Sequence, residues 1–119
     1  HRHPSAFDLV RPGVFLYGVG AGGMMPDPVV SLRARVVETR RLAPGDSVSY
    51  DATFRATRET WIATIALGYA DGYRRALSNR GEALLHGRRV PVVGNVTMDM
   101  TMLDVTDVRS AAGDVATLI

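Results

Sequence analysis

Apolar and polar residues alternate along several short segments of this chain, and a period of two predicts β-strands. The clearest alternation covers residues 47–56, whose apolar positions are Val48, Tyr50, Ala52, Phe54 and Ala56. Residues 32–36 alternate in the same way, and residues 61–67 form an apolar run rich in β-branched side chains. Such a run is typical of a buried strand. We therefore expect a half-buried strand at 47–56 with Tyr50 on its apolar face.

Further strands are expected at residues 98–105 and 114–119, and a hairpin is expected from 82–86 and 90–96. Turn-forming residues recur every eight to twelve positions, which favours an all-β sandwich or barrel. Only residues 73–80 have a pattern compatible with a short helix. The predicted fold class is therefore all-β.

Composition excludes several kinds of function. The chain has 119 residues, a formal net charge of +2 and no cysteine, which excludes disulfides and thiolate metal sites. His1, His3 and His86 have no metal-ligand spacing, and no metal site is predicted. There is no block of like charge for a nucleic-acid partner and no apolar run of membrane-spanning length. We expect a cytoplasmic protein with no nucleic-acid or membrane partner. All 14 cationic side chains are arginine, and lysine does not occur.

Three segments carry a more specific signal. They are residues 49–54 (SYDATF), 67–73 (LGYADGY) and 93–99 (VGNVTMD). In this order and at this separation they resemble the C-terminal domain of alanine racemase. The resemblance implies a small β-barrel or sandwich-like domain at residues 29–119, truncated at its C-terminus. It also implies that residues 1–18 are the remnant of a TIM barrel that binds pyridoxal phosphate, with a loop at 19–28.

The resemblance also implies a function. Alanine racemase interconverts L- and D-alanine with pyridoxal 5'-phosphate by two-base transfer of the α-proton, and supplies peptidoglycan precursors. Its homodimer shares each active site between two subunits. Chemistry on this cofactor begins from a Schiff base with a lysine amine. Because the chain has no lysine, we expect these 119 residues to be inactive on their own.

Tyr50 is the catalytic base that the resemblance implies. The spacing of the residues alone favours another interpretation, a core tyrosine whose hydroxyl finds a partner. A free phenol has a pKa of about 10, so a tyrosine base needs a nearby cation or hydrogen-bond donors. Asp51 stands where the family usually has glycine, and the alternation predicts that it lies on the opposite face of the strand.

By the same resemblance, Tyr69 lines the passage to the cofactor and contacts the substrate, and Arg75 belongs to that passage. Met98 offers its backbone N–H to the substrate carboxylate, and Asp99 braces the turn. Asn95 replaces an arginine that the family often has. Without the resemblance, Tyr69 would be interpreted as packing over a hairpin, and Met98 as part of the core.

Cofactor-binding residues are implied near the N-terminus. Arg11 would bond the pyridine nitrogen, and because guanidinium does not give up its proton, that nitrogen would stay unprotonated. Gly13 and Val14 would offer backbone N–H groups to the cofactor phosphate. The alternative for Arg11 is a solvated arginine at the end of a strand.

Two other functions stay open at this level. A stand-alone β-barrel binding or interaction module would keep the same motifs as core and turn residues. A racemase of serine or another amino acid is also compatible, since few specificity-determining residues lie in these segments.

Overall fold

The structure, a computed structural model, describes residues 11, 13–20, 22–27 and 29–119, which divide into two compact units after Ser31. The described part of the first unit contains a 3₁₀ helix, Gly13–Tyr17. Most of residues 1–18 lie outside the described residues, so the barrel remnant stays a prediction. Between residues 11 and 119, the described segments contain no helix long and apolar enough to cross a membrane.

The second unit is built from antiparallel β-strands. Six of them form one sheet in the order β6–β5–β8–β1–β4–β7, and β2 and β3 form a separate ribbon. The strands are β1 Leu32–Leu42, β2 Ser47–Val48, β3 Phe54–Arg55, β4 Thr60–Ile65, β5 Glu82–Leu85, β6 Arg88–Pro91, β7 Thr101–Asp104 and β8 Val115–Leu118. The all-β prediction is confirmed.

The six-stranded sheet closes on itself. Val92, the residue after β6, forms a β-bridge with Leu103 of β7, and the Val93 N–H donates to the Met102 carbonyl at 2.9 Å. Closure pairs the two edge strands of the sheet, which would otherwise expose unpaired backbone groups. It also places the loop after β6 beside β7.

Strand β1 is long because it serves two neighbours. Its first half pairs with β8 and its second half with β4, and the register shifts between Val36 and Glu38. An extra residue at such a shift bends a strand and increases its twist. The bulge lets one strand contribute to two sides of the barrel.

Strand β4 is buried on both faces. Ala63 and Ile65 belong to the main core cluster, whereas Ile62 belongs to a second cluster with Val48 and Val93. Because successive side chains of a strand point to opposite faces, the two clusters lie on opposite sides of β4. This explains the mostly apolar run at 61–67, and the buried strand expected there is confirmed as Thr60–Ile65.

Residues 47–56 do not form the continuous strand that the alternation predicts. A 3₁₀ turn, Tyr50–Ala52, separates β2 from β3, and Ser49, Asp51 and Ala52 have φ values of 67°, 63° and 46°. The expected inward position of Tyr50 is therefore wrong: the residue is 71% exposed. The prediction that Asp51 lies on the opposite face of a strand is wrong for the same reason. A tertiary contact with residues 94–95 overrides the local pattern.

Two other expectations are corrected in extent. The helix expected at 73–80 is reduced to a 3₁₀ turn, Arg75–Leu77. The expected hairpin is present, but its strands are Glu82–Leu85 and Arg88–Pro91 instead of 82–86 and 90–96, and its two turn residues are His86 and Gly87. Both have positive φ, 50° and 76°, as a type I′ turn requires.

Asp114 gives the fold a defined pH dependence. Its carboxylate accepts a hydrogen bond from the Ala111 N–H at 2.9 Å and lies 2.9 Å from His86 Nε2. The Ala111 hydrogen bond, followed by that of His86, lowers the pKa of Asp114. A carboxylate with a lowered folded-state pKa stabilises the fold above its unfolded pKa, and this contribution is lost as pH falls through the folded pKa.

We therefore expect Asp114→Asn to destabilise the protein at pH 7, and the difference from wild type to shrink below about pH 4, where the unfolded carboxyl protonates. Urea unfolding at a series of pH values measures this. Asp107→Asn is the control, because the side chain of Asp107 takes part in an exposed ion pair with Arg58 and its backbone carbonyl is unchanged by the substitution. An equal loss of stability at pH 3 and pH 7 would contradict the expectation.

Tyr73 buries a hydroxyl that finds no hydrogen-bond partner among the described residues. The residue is 4% exposed in the main core, and burial raises the pKa of its phenol. A Cβ added at Gly81 would lie 2.5 Å from this hydroxyl oxygen, so glycine makes room for it. A buried polar group without a partner destabilises the folded state.

Tyr73→Phe should therefore leave the free energy of unfolding unchanged or raise it by about 1 kcal/mol. Tyr73→Ala, which also removes the ring, should lower it by about 3 kcal/mol or more. Chemical denaturation measures both variants. A clear loss of stability in the phenylalanine variant would mean that the hydroxyl has a partner.

Candidate active site

A cleft of about 400 Å³ on the second unit brings the three sequence motifs together. The lining residues are Tyr50, Tyr69, Arg75, Asn95, Val96, Thr97, Met98, Asp99 and Met100. All the site residues predicted in this unit are among them, although up to 49 positions separate them along the chain. A second cleft of about 460 Å³, lined by Trp61 and residues 105–110, contains none of them.

Tyr50 lies in a turn whose backbone forms hydrogen bonds with a distant segment of the chain. Ser49 Oγ donates to the Asn95 carbonyl at 2.6 Å, and Asn95 Nδ2 donates to the Tyr50 carbonyl at 3.0 Å and to Asp51 Oδ2 at 3.2 Å. Within the described chain the phenol itself has no hydrogen-bond partner. An exposed ring on a fixed backbone is suited to contact a ligand, and the interpretation as a core tyrosine is wrong.

Asn79 ties two walls of the cleft together. Its Oδ1 accepts from the Gly94 N–H at 2.6 Å, and its Nδ2 donates to Thr53 Oγ1 at 3.1 Å. Beside it, Ser78 Oγ accepts from the Val96 N–H at 2.9 Å. Sequence reasoning missed both residues. Asn79 has φ 54°, and the preference of asparagine for left-handed backbone is the one local signal that pointed to it.

Tyr69 is placed by a close backbone contact. The Tyr69 and Ala70 N–H groups donate to the carbonyls of Thr97 and Met98, each at 3.0 Å. A Cβ added at Gly68 would collide with those two carbonyl groups. Only glycine allows this approach, which sets Tyr69 beside Met98 at the cleft.

The backbone at Met98 presents a free donor. The Met98 carbonyl accepts from Ala70, whereas its N–H makes no hydrogen bond with any described residue. Thr97 closes the turn: its N–H and Oγ1 donate to the Met100 carbonyl at 2.9 and 3.0 Å. The carboxylate of Asp99, which the resemblance implies as the brace, makes no contact of this kind within the described segments. The free N–H is a donor for an anionic ligand.

The charges at the cleft are mixed. Arg75 lines it and forms no ion pair with a described carboxylate, and Asp99 contributes a negative charge. Across the described ranges, no group of three or more acidic or histidine side chains is placed to hold a metal ion. The cleft therefore combines a phenol, a guanidinium and an unpaired backbone N–H.

The other predicted site residues belong to the first unit. Arg11 is exposed, and Gly13 and Val14 begin the 3₁₀ helix Gly13–Tyr17. The N–H groups of Gly13 and Val14 donate to no described residue, and Gly13 has φ 57°. A guanidinium and backbone N–H groups are donors that suit a phosphorylated aromatic cofactor.

Comparison with known proteins gives a consistent result. The family described as "Alanine racemase, C-terminal domain" matches residues 29–119. The alanine racemase of Sorangium cellulosum is 51% identical over 114 residues, which cover 92% of this chain and 30% of that protein. A broad specificity amino-acid racemase of Aeromonas hydrophila is 43% identical over 104 residues, covering 87% of this chain and 26% of that protein.

Solved structures agree. Alanine racemase from Bartonella henselae, with covalently bound pyridoxal phosphate, matches with a TM-score of 0.81 and 38% identity over 90% of this chain and 31% of that one. The Bacillus anthracis enzyme with bound L-Ala-P matches with a TM-score of 0.80 and 38% identity, covering 90% and 29%. The chain spans about a third of the length of the relatives it matches.

The family match covers most of the chain, and the site residues implied by the three motifs of the second unit meet in one cleft. The resemblance inferred from the sequence is thereby confirmed. This chain belongs to the alanine racemase family, and residues 29–119 correspond to the C-terminal domain of that family.

Proposed function

We propose that this chain is part of a cytoplasmic enzyme that interconverts L- and D-alanine and supplies D-alanine for peptidoglycan. The observation that carries the proposal is the meeting of the exposed Tyr50 phenol and the unpaired Met98 N–H in one cleft. A phenol can move a proton, and a backbone N–H can hold a carboxylate. The two together suit an amino acid whose α-carbon loses and regains a proton.

Tyr50 is the base of this proposal. Its hydroxyl oxygen would take the α-proton from one face of the substrate and return it in the reverse reaction. A phenol with a pKa of about 10 needs its anion stabilised to do so. Arg75 lines the same cleft and supplies a positive charge there. The second base would be a lysine, and these 119 residues contain none, so on their own they are expected to be inactive.

Met98 and Tyr69 hold the substrate. The Met98 N–H would donate to the substrate carboxylate, which removes the freedom of the α-carbon relative to Tyr50. Tyr69, whose backbone is bonded to the same turn, would flank the ligand and limit its size. Asp99 and Arg75 would support the passage to the site.

Pyridoxal phosphate is the proposed cofactor, and it supplies an electron-withdrawing ring that acidifies the α-proton. Among the residues of this chain, Arg11 would donate to the ring nitrogen and keep it unprotonated. The free N–H groups of Gly13 and Val14 would bind the phosphate. These roles are carried over from the resemblance, and they are supported by backbone donors that have no partner among the described residues.

The rim of the cleft supports a shared site. Tyr50, Tyr69, Met98 and Met100 are all exposed around it. Contiguous exposed apolar side chains mark a surface that another molecule covers. We propose that a second subunit covers this rim and that each active site of the homodimer uses residues of both subunits.

Tyr50→Phe in the full-length protein should remove the proton-transfer group while keeping the ring. We expect exchange of the L-alanine α-proton with solvent deuterium to fall by about 100-fold or more. Exchange from D-alanine, served by the opposite base, should partly survive. Proton NMR in D₂O measures both rates.

Tyr73→Phe is the matched control for this experiment, because it removes a phenol hydroxyl that lies in the core and outside the cleft. Exchange of both enantiomers at wild-type rates in the Tyr50 variant would show that Tyr50 is not the base.

A broader amino-acid range is the second candidate, because the 43% identical relative from Aeromonas hydrophila is a broad specificity amino-acid racemase. If alanine is the preferred substrate, kcat/KM for L-alanine should exceed that for L-serine and L-lysine by about tenfold or more, as pocket discrimination between unlike side chains allows. Polarimetric rates on the three amino acids decide between the candidates. Similar values for all three would favour broad specificity.

A further inference from the structure

One asparagine contacts three consecutive residues of the turn that carries Tyr50. The Asn95 carbonyl accepts from Ser49 Oγ at 2.6 Å, and its side-chain Nδ2 donates to the Tyr50 carbonyl at 3.0 Å and to Asp51 Oδ2 at 3.2 Å. The contacts join positions 44 to 46 residues apart in the sequence.

The turn needs such a contact to keep its shape. Ser49, Asp51 and Ala52 all have left-handed φ values, which cost non-glycine residues about 1 kcal/mol or more each. The strand pairing of β2 with β3 ends at Val48 and Phe54, on either side of the turn. Because Tyr50 is 71% exposed, packing of its ring does not fix it either. The hydrogen bonds to Asn95 are the long-range contacts that fasten this turn to the rest of the domain.

Asn95 is itself fixed at both sides. The preceding Gly94 donates its N–H to Asn79, and a Cβ at Gly94 would lie 2.8 Å from Ser49 Cβ. The following Val96 is 1% exposed and donates its N–H to Ser78 Oγ. The same segment reaches Met98 three residues later. Asn95 therefore links the turn of Tyr50 to the segment that carries the Met98 N–H.

We propose that Asn95 is a positioning residue for Tyr50: its side-chain amide sets the distance between the phenol and a ligand held at Met98. The inference rests on the proposed function, because this distance matters only if Tyr50 transfers a proton. Proton transfer is sensitive to such placement, and a displacement of about 1 Å can cost a factor of about 100.

Asn95→Asp in the full-length protein is the first test. Aspartate has nearly the same shape and keeps the backbone carbonyl that accepts from Ser49. Its carboxylate replaces the amide donor and repels both the Tyr50 carbonyl and the Asp51 carboxylate. We expect kcat to fall about 10- to 100-fold with little change in KM, and α-proton exchange from L-alanine to fall more than exchange from D-alanine.

Asp51→Asn in the same protein is the rescue. It gives position 51 an amide that can donate to the new carboxylate, and it removes one of the two facing charges. The double variant should recover much of the lost L-alanine exchange, whereas Asp51→Asn alone measures the effect of that charge. Asn95→Ala, which removes the donor without adding charge, serves if the aspartate variant does not fold.

The thermal unfolding midpoint of each variant separates positioning from stability. Equal loss of exchange from both enantiomers, in step with a lower midpoint and without rescue, would overturn the positioning role. Wild-type exchange rates in Asn95→Asp and Asn95→Ala would overturn it as well. If the Tyr50→Phe variant exchanges the α-proton at the wild-type rate, the proposed role of Tyr50 as the base is wrong, and the role of Asn95 is wrong with it. If only the Asn95 variants behave as wild type, the proposed function stands and this inference alone is wrong.

Discussion

The backbone of residues 68–70 lies directly against the carbonyl groups of Thr97 and Met98, and the arrangement of the cleft depends on that contact. It exists because Gly68 has no side chain to collide with those carbonyls. Two hydrogen bonds of 3.0 Å join the segments there. The Met98 carbonyl is used in this contact, whereas its N–H has no hydrogen-bond partner among the described residues.

Barrel closure makes the contact possible. The bridge between Val92 and Leu103 brings the loop after β6 beside β7, and the loop after β4 reaches the same region through Thr101 Oγ1, which donates to the Leu67 carbonyl at 2.7 Å. The cleft walls are thus loops mounted on paired strands, a common way to combine accessible side chains with a rigid support. The asparagines Asn79 and Asn95 then join the loops to each other.

The pattern of apolar and polar residues predicted a strand correctly where the apolar residues are also buried in the fold. The run at 61–67 contains most of β4, Thr60–Ile65, because a strand with core on both faces favours apolar residues at most of its positions. At 47–56 the same reasoning was wrong. The alternation there is real, but Tyr50 is an exposed residue of a left-handed turn, and its apolar character serves the rim of the cleft instead of the core. Short alternating segments do not distinguish these two cases.

The sequence alone was enough to predict the all-β class, the family and the residues of the three motifs. These predictions depend only on which residues occur and how they are spaced. The missing lysine is a fact of the same kind. Only the tertiary structure decided that Tyr50 is exposed, that the Met98 N–H has no partner in the described part of the chain, and that Asn95 contacts the Tyr50 turn. Each of these depends on hydrogen bonds or close approaches between residues roughly 20 to 50 positions apart. Such contacts leave no local periodicity, since neither segment alone contains the geometry that pairs them.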